Sequence, residues 1–258
     1  MATTTALQRL KADSLNIEIY ADLKSASDAA AREAAQALVN LDKACSAFGV
    51  IFATGSSQIE TLEALTAIPG LPWNKVIGFH LDEYIGMPAD HPASFRGYLQ
   101  RHLLRKVTLK EFNEIDGTAP NIDEICRQYA LNLQKTAPQL CLLGVGENGH
   151  LAFNDPDEAN FNDPQDVRIV RLDPVCRQQQ ASEGWFDSLE EVPEVAVTVT
   201  IPALFRVPKL VLTVVGSRKA TAVERLIEGP ISTNCPATIL RRHSDATLYL
   251  DQDAAANL

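Results

Sequence analysis

Two hydrophobic patterns alternate along the chain. Short continuous apolar runs occur at Gly49–Ala53 (GVIFA), Lys75–Leu81 (KVIGFHL), Gln139–Val145 (QLCLLGV) and Leu210–Val215 (LVLTVV). Runs of that length and character predict strands buried on both faces. Asn16–Tyr20 predicts a first short strand, and Ala246–Leu250 a last one. Between these runs, Leu, Val and Ala recur at helical spacing over Ser25–Ala47, Gln58–Ala67, Ala93–Lys106, Asn121–Thr136 and Ser217–Glu228. Ser25, Ser27 and Asp28 stand at the start of the first helix, Asn121 and Ser217 at the starts of two others. Side chains of these types accept hydrogen bonds from free N–H groups at a helix start. Val167–Leu172 and Val195–Ile201 alternate like half-buried strands. Strand and helix in alternation predict an α/β fold with a mostly parallel central sheet and helices on both faces. No linker, charge block or fixed-period repeat divides residues 1–258, so a single domain is expected. Asp82–Pro92, Glu147–Gln165 and Arg177–Pro193 read as irregular, and loops beyond strand C-termini are where such sheets bind ligands.

Charge narrows the partners. With 23 Lys and Arg against 33 Asp and Glu, the formal net charge is −10. Such a chain is a poor attractor for nucleic acid or anionic lipid, and any anion it binds must be held by a local arrangement. Five cysteines, an odd number without a C-x-x-C pair, predict reduced thiols rather than a disulfide framework or zinc site. Neither a secretory leader nor a transmembrane run is read, so a soluble cytoplasmic protein is expected.

Four constellations carry possible chemistry. Thr54-Gly55-Ser56-Ser57 follows a buried run and precedes a helix. Glycine, small hydroxyls and a helix N-terminus together make an anion cradle, although the same residues also suit an ordinary serine-capped turn. In His80-Leu81-Asp82-Glu83-Tyr84, adjacent carboxylates at a strand end point to opposite sides. One can face a cleft as a general base while the other anchors the loop. A metal reading of His80, Asp82 and Glu83 needs further ligands, and no helix-spaced His pair supplies them. Leu143–Pro156 (LGVGENGHLAFNDP) is the most specific, with Asn148, His150 and Asp155 close together after a glycine-rich turn. A histidine exchanges a proton near neutral pH, and a carboxylate can fix its tautomer. No G-x-S-x-G elbow is present, and Cys141 lies inside an apolar strand, so neither supplies a nucleophile. Gly216-Ser217-Arg218-Lys219 puts two cations at a helix start, where an anionic ligand would offset their opposition to the helix dipole. Arg177 is a further candidate phosphate clamp.

Phe79–Pro88 (FHLDEYIGMP), Leu143–Pro156 and Val215–Ala220 (VGSRKA) resemble, in order and spacing, the glucosamine-6-phosphate deaminase (isomerase) family, and the likeness covers nearly the whole chain. The related 6-phosphogluconolactonases usually carry D-E-R in the first motif, so Tyr84 favours the deaminase side. The resemblance implies a modified Rossmann-like fold, no cofactor and no metal, and an amino sugar phosphate as small-molecule partner. It implies conversion of glucosamine 6-phosphate and water to fructose 6-phosphate and ammonium. His150 would assist ring opening, and Asp82 would move a proton between C2 and C1. Asn148 and Asp155 would orient His150, and Lys219 with Thr54, Gly55, Ser56 and Ser57 would hold the phosphate. Asp155 stands where many members carry Glu. The phosphate-side Arg expected just before Trp185-Phe186 is replaced by Glu183-Gly184, with Arg177 as its candidate substitute. Val170 occupies the place of an effector-binding Lys in the allosteric hexamers, which argues against effector activation. Monomer and homo-oligomer are both compatible with the chain. A sugar-phosphate lactonase is the alternative enzyme. A non-catalytic sugar-phosphate sensor is the alternative of another class, opposed by the short segment of about fifteen residues before the first expected strand and by the acidic charge.

Overall fold

The computed structural model describes residues 5–258. Eleven strands are present among them: β1 Gln8–Ala12, β2 Leu15–Tyr20, β3 Phe48–Phe52, β4 Val76–His80, β5 Asp82–Tyr84, β6 Glu111–Phe112, β7 Leu140–Leu143, β8 Val167–Arg171, β9 Val195–Val199, β10 Lys209–Val214 and β11 Ala246–Asp251. The α-helices are α1 Leu23–Ala44, α2 Ser56–Thr66, α3 Phe95–Leu99, α4 Ile122–Thr136, α5 Pro174–Ser182, α6 Ile201–Phe205 and α7 Ala220–Glu228. A π-helical turn, Gln100–Leu104, continues α3. None of the helices described is long and apolar enough to cross a membrane.

The central sheet runs β1-β2-β11-β10-β7-β3-β4-β6 and is parallel except for the β1–β2 hairpin. Alternation along its strands divides the core into two layers. Phe48, Val50 and Phe52 of β3 and Leu140 and Leu142 of β7 pack against α1 and α2. Ile51, Cys141 and Leu143 point the other way, toward α4 and α7. The inward face of α1 is almost all alanine (Ala26, Ala30, Ala34 and Ala37 among others), so the helix lies close to the sheet. A small antiparallel sheet, β5-β9-β8, stands apart from the main one. The chain leaves β4 at His80 and enters this second sheet at Asp82, which pairs with Thr198 of β9. That switch carries Asp82 to the junction of the two sheets.

Several local expectations are corrected. β1 pairs antiparallel with β2 through a turn in which Asp13 has φ of +50°, so the first strand begins at Gln8 rather than Asn16. It is a polar edge strand with only partial burial at Leu10 and Ala12, which hides it from a hydrophobicity pattern. The cap of α1 is Asp22, whose carboxylate accepts from the Ser25 N–H at 2.7 Å. Asn121 does cap α4, accepting from the Glu124 N–H at 3.1 Å. Ser217 caps nothing: Ser217–Lys219 forms a 3-10 turn before α7. The first part of the segment read as irregular from Arg177 belongs to α5, opened by Asp173, which accepts from the Val175 N–H at 2.6 Å, and by Pro174.

Candidate active site

Four turns converge above the C-terminal ends of neighbouring strands β10, β7, β3 and β4. They bring Lys219, Gly144–Gly146 with His150, Thr54–Ser57, and Asp82 to one cleft. This is where open α/β sheets bind ligands. Eight of the ten residues singled out from the sequence either line this cleft or, for Asp155, stand directly behind it, 2.9 Å from His150; the other two are Asn148, which bonds to both His150 and Asp155, and Arg177, which lies elsewhere.

His150 and Asp155 form a close pair at the cleft. His150 Nδ1 lies 2.9 Å from Asp155 Oδ1, and both side chains are buried. Asn148 ties them together: its Nδ2 donates to Asp155 Oδ1 at 2.9 Å, and its Oδ1 accepts from the His150 N–H at 3.0 Å. The second Asp155 oxygen accepts from the Asp173 N–H at 3.0 Å, which links the pair to the start of α5. Burial works to raise the Asp155 pKa, but His150, Asn148 and the Asp173 N–H together hold it below the usual carboxylate value. Gly146 lies flat against the imidazole, and a Cβ there would come within 2.2–2.4 Å of three ring atoms. Only glycine permits that approach without moving the ring. The Asn154 side chain donates to the carbonyls of Leu151 and Val199, and the Phe153 N–H donates to Thr198, so the motif is fastened to β9.

Asp82 faces the same cleft and is 6% exposed. Burial, then the charges of Glu83 and Asp155, push its carboxyl well above the usual range. A carboxylate so placed is a stronger base than one in water. Glu83 turns away. It accepts from the N–H groups of Tyr84, Phe95 and Arg96 and from the Ser94 hydroxyl, at 3.0–3.3 Å. His80 is structural as well. Its Nε2 accepts from the Ile115 N–H at 2.8 Å, and burial with the nearby Arg96 charge pushes it down to about 3. It is therefore neutral and engaged, and His80, Asp82 and Glu83 do not converge on one point.

The opposite end of the cleft is polar. Gly55, at φ of +103°, turns the chain from β3 into α2, and the Tyr98 hydroxyl donates to its carbonyl at 2.9 Å. Lys219 is 8% exposed, and burial lowers its pKa against the pull of Glu183 and Glu147. Arg218 points elsewhere, toward Glu147 at 3.5 Å.

Arg177 does not line the cleft. Its guanidinium donates to the carbonyls of Leu189 and Val192 at 2.8–3.1 Å, pinning the loop after α5. α5 instead presents Gln179 and Gln180 to the cleft, which the sequence reading does not single out, and its C-cap Glu183, at the place of the expected phosphate-side Arg, lines the cleft as well. The Asp173-Pro174 pair is a helix-start signal that would have placed them on one element. Cys176, also on α5, has its sulfur close to Asp155 and His150, and burial with the charges of Asp155 and Asp82 keeps it a thiol.

The family model described as glucosamine-6-phosphate isomerases/6-phosphogluconolactonase matches residues 21–249. The chain belongs to this family. A glucosamine-6-phosphate deaminase of Exiguobacterium sibiricum is 38% identical over 216 residues, covering 80% of this chain and 79% of that one. One of Thermoanaerobacter sp. (strain X514) is 33% identical over 210 residues, covering 79% and 81%. Among solved structures, a monomeric glucosamine-6-phosphate deaminase superposes with a TM-score of 0.86 at 28% identity, over 94% of this chain and 99% of that one. A 6-phosphogluconolactonase from Thermotoga maritima superposes with a TM-score of 0.75 at 18% identity, over 92% and 99%, a likeness of fold.

Proposed function

We infer that this chain is a glucosamine-6-phosphate deaminase, an enzyme that converts glucosamine 6-phosphate and water to fructose 6-phosphate and ammonium. The whole chain works as one domain in this reading. The observation that carries it is the convergence of a buried carboxylate, Asp82, and the His150–Asp155 pair on one cleft with an anion cradle at its other end.

The phosphate is held by Thr54, Gly55, Ser56 and Ser57 and by Lys219, which fixes the distant reacting carbons. His150, oriented by Asp155 and Asn148, transfers a proton between the anomeric hydroxyl and the ring oxygen, and the pyranose opens to the aldehyde. Asp82 takes the C2 proton to give an enolamine and returns it to C1, which leaves an imine at C2. Water adds to that imine, the C2–N bond breaks, and the ketose and ammonium leave. The high pKa of Asp82 suits a group that must accept a carbon-bound proton and then release it.

The test is simultaneous assay of ammonium and fructose 6-phosphate from glucosamine 6-phosphate. Equal formation of both is expected, with solvent deuterium entering the sugar at C1 to the extent that Asp82 exchanges its proton before returning it. Asp82→Asn abolishes it, and His150→Gln lowers kcat by roughly 10²–10⁴-fold. Hydrolysis of 6-phosphogluconolactone without ammonium release from the amino sugar would replace this reading with the lactonase one.

A further inference from the structure

We propose that Glu183 sets the affinity of the anion cradle: its carboxylate sits there as a resident competitor of the substrate phosphate. This rests on the reading of Thr54–Ser57 and Lys219 as the phosphate site. The Ser56 hydroxyl, one of the donors of that cradle, already donates to Glu183 Oε2 at 3.0 Å. The Gln179 amide donates to Oε1 at 2.8 Å, and the Trp185 indole N–H to Oε2 at 3.3 Å. Gln179 is itself held, accepting from the Glu147 N–H at 2.9 Å. The carboxylate is thus built in by three donors rather than drifting at a surface.

Two physical consequences follow. A hydroxyl has one hydrogen, so Ser56 donates to Glu183 or to a phosphate, not to both. The charges are also already matched. Lys219, the cation of the cradle, shares the lining of the cleft with the Glu183 carboxylate, and Arg218 faces Glu147. A free phosphate therefore meets a cradle with no surplus positive charge. A sugar phosphate differs, because contacts along its carbon chain offset the loss of the Ser56–Glu183 bond. Glu183 in this way lowers affinity for any anion in the cradle, so that inorganic phosphate binds weakly while a sugar phosphate, with its added contacts, still binds.

The experiment is calorimetric titration of inorganic phosphate into the full chain and into Glu183→Gln, with KM for glucosamine 6-phosphate measured alongside. Replacing the carboxylate with the isosteric amide tightens phosphate binding by roughly ten- to a hundredfold, the effect of removing one like charge at short range, and KM falls in the same direction. Glu183→Ala tightens it too, which keeps the test open if one variant does not fold. Ser56→Ala costs phosphate affinity in the Glu183→Gln background and little in the parent, where the hydroxyl is already engaged. Equal or weaker phosphate binding by both Glu183 variants overturns the proposal. Tightening in a protein that releases no ammonium supports the proposal and removes the deaminase reading alone.

Discussion

The carboxylates of Asp82 and Glu83, consecutive on β5, have opposite surroundings: Asp82 lines the cleft, and Glu83 accepts four hydrogen bonds at and before the start of α3. The Arg96 guanidinium lies 3.6 Å from Glu83 and reaches Asp116 at 2.8 Å. Alternation along a strand separates the two acids, so one short segment supplies both a reactive group and the anchor that holds it.

Removing the anchor is costly. Glu83 is fully buried, and Glu83→Ala leaves the N–H groups of Tyr84, Phe95 and Arg96 and the Ser94 hydroxyl without this acceptor. A loss of about 3–5 kcal/mol is expected in urea unfolding. A loss under about 1 kcal/mol, the scale of a surface pair, would mean that the loop holds itself without Glu83.

Asp82 behaves in the opposite sense. Its pKa is raised in the folded state from the ordinary 3.8. A group raised in this way favours the fold fully below its unfolded pKa and loses that contribution as pH rises through the folded value. Asp82→Asn removes the cost, so the variant is inactive yet more stable than the parent at pH 8 by about 1–3 kcal/mol, with a smaller gain at pH 5. Denaturant midpoints at the two pH values check this, and an equal gain at both would exclude ionisation as its source.

Gly146→Ala tests the seat of the imidazole. The new methyl group displaces the His150 ring, and a displacement near 1 Å lowers kcat by roughly 10²-fold. Inorganic phosphate binding, at the other end of the cleft, stays at the parent value. Steady-state kinetics and titration on one preparation separate the two effects.

Arg177→Ala leaves KM for glucosamine 6-phosphate unchanged, because the guanidinium faces backbone carbonyls. Stability falls by about 1–2 kcal/mol from the lost bonds to Leu189 and Val192. A large rise in KM with parent stability would return Arg177 to the phosphate site.

The parts of this fold that were legible share a physical character. β3, β7 and β10 are buried on both faces, and such strands need continuous apolar runs. The turns that follow them carry small or reactive residues at strand ends, where chemistry belongs in this architecture, so Thr54–Ser57, His150 and Lys219 stood out. β1 did not, because Gln8 and Arg9 leave an edge strand without an apolar signature. α5 was missed because it buries Cys176, Gln179 and Gln180 and leaves Val175 exposed, a face with little hydrophobic period. The Ser56–Glu183 bond joins residues 127 positions apart. No local spacing encodes such a contact; it exists only once α5 has folded back over the strand ends.

The borders of the central sheet bear on how copies of this protein meet. At one border β1 presents the polar strand Gln8-Arg9-Leu10-Lys11-Ala12, and at the other β6 is only two residues long. A row of unpaired backbone groups invites another chain to add a strand, and charge or brevity at the border discourages it. Neither border offers a flat apolar template for edge-to-edge growth, so crowded copies are guarded against fibrous stacking by the same polar strand that escaped the hydrophobic pattern.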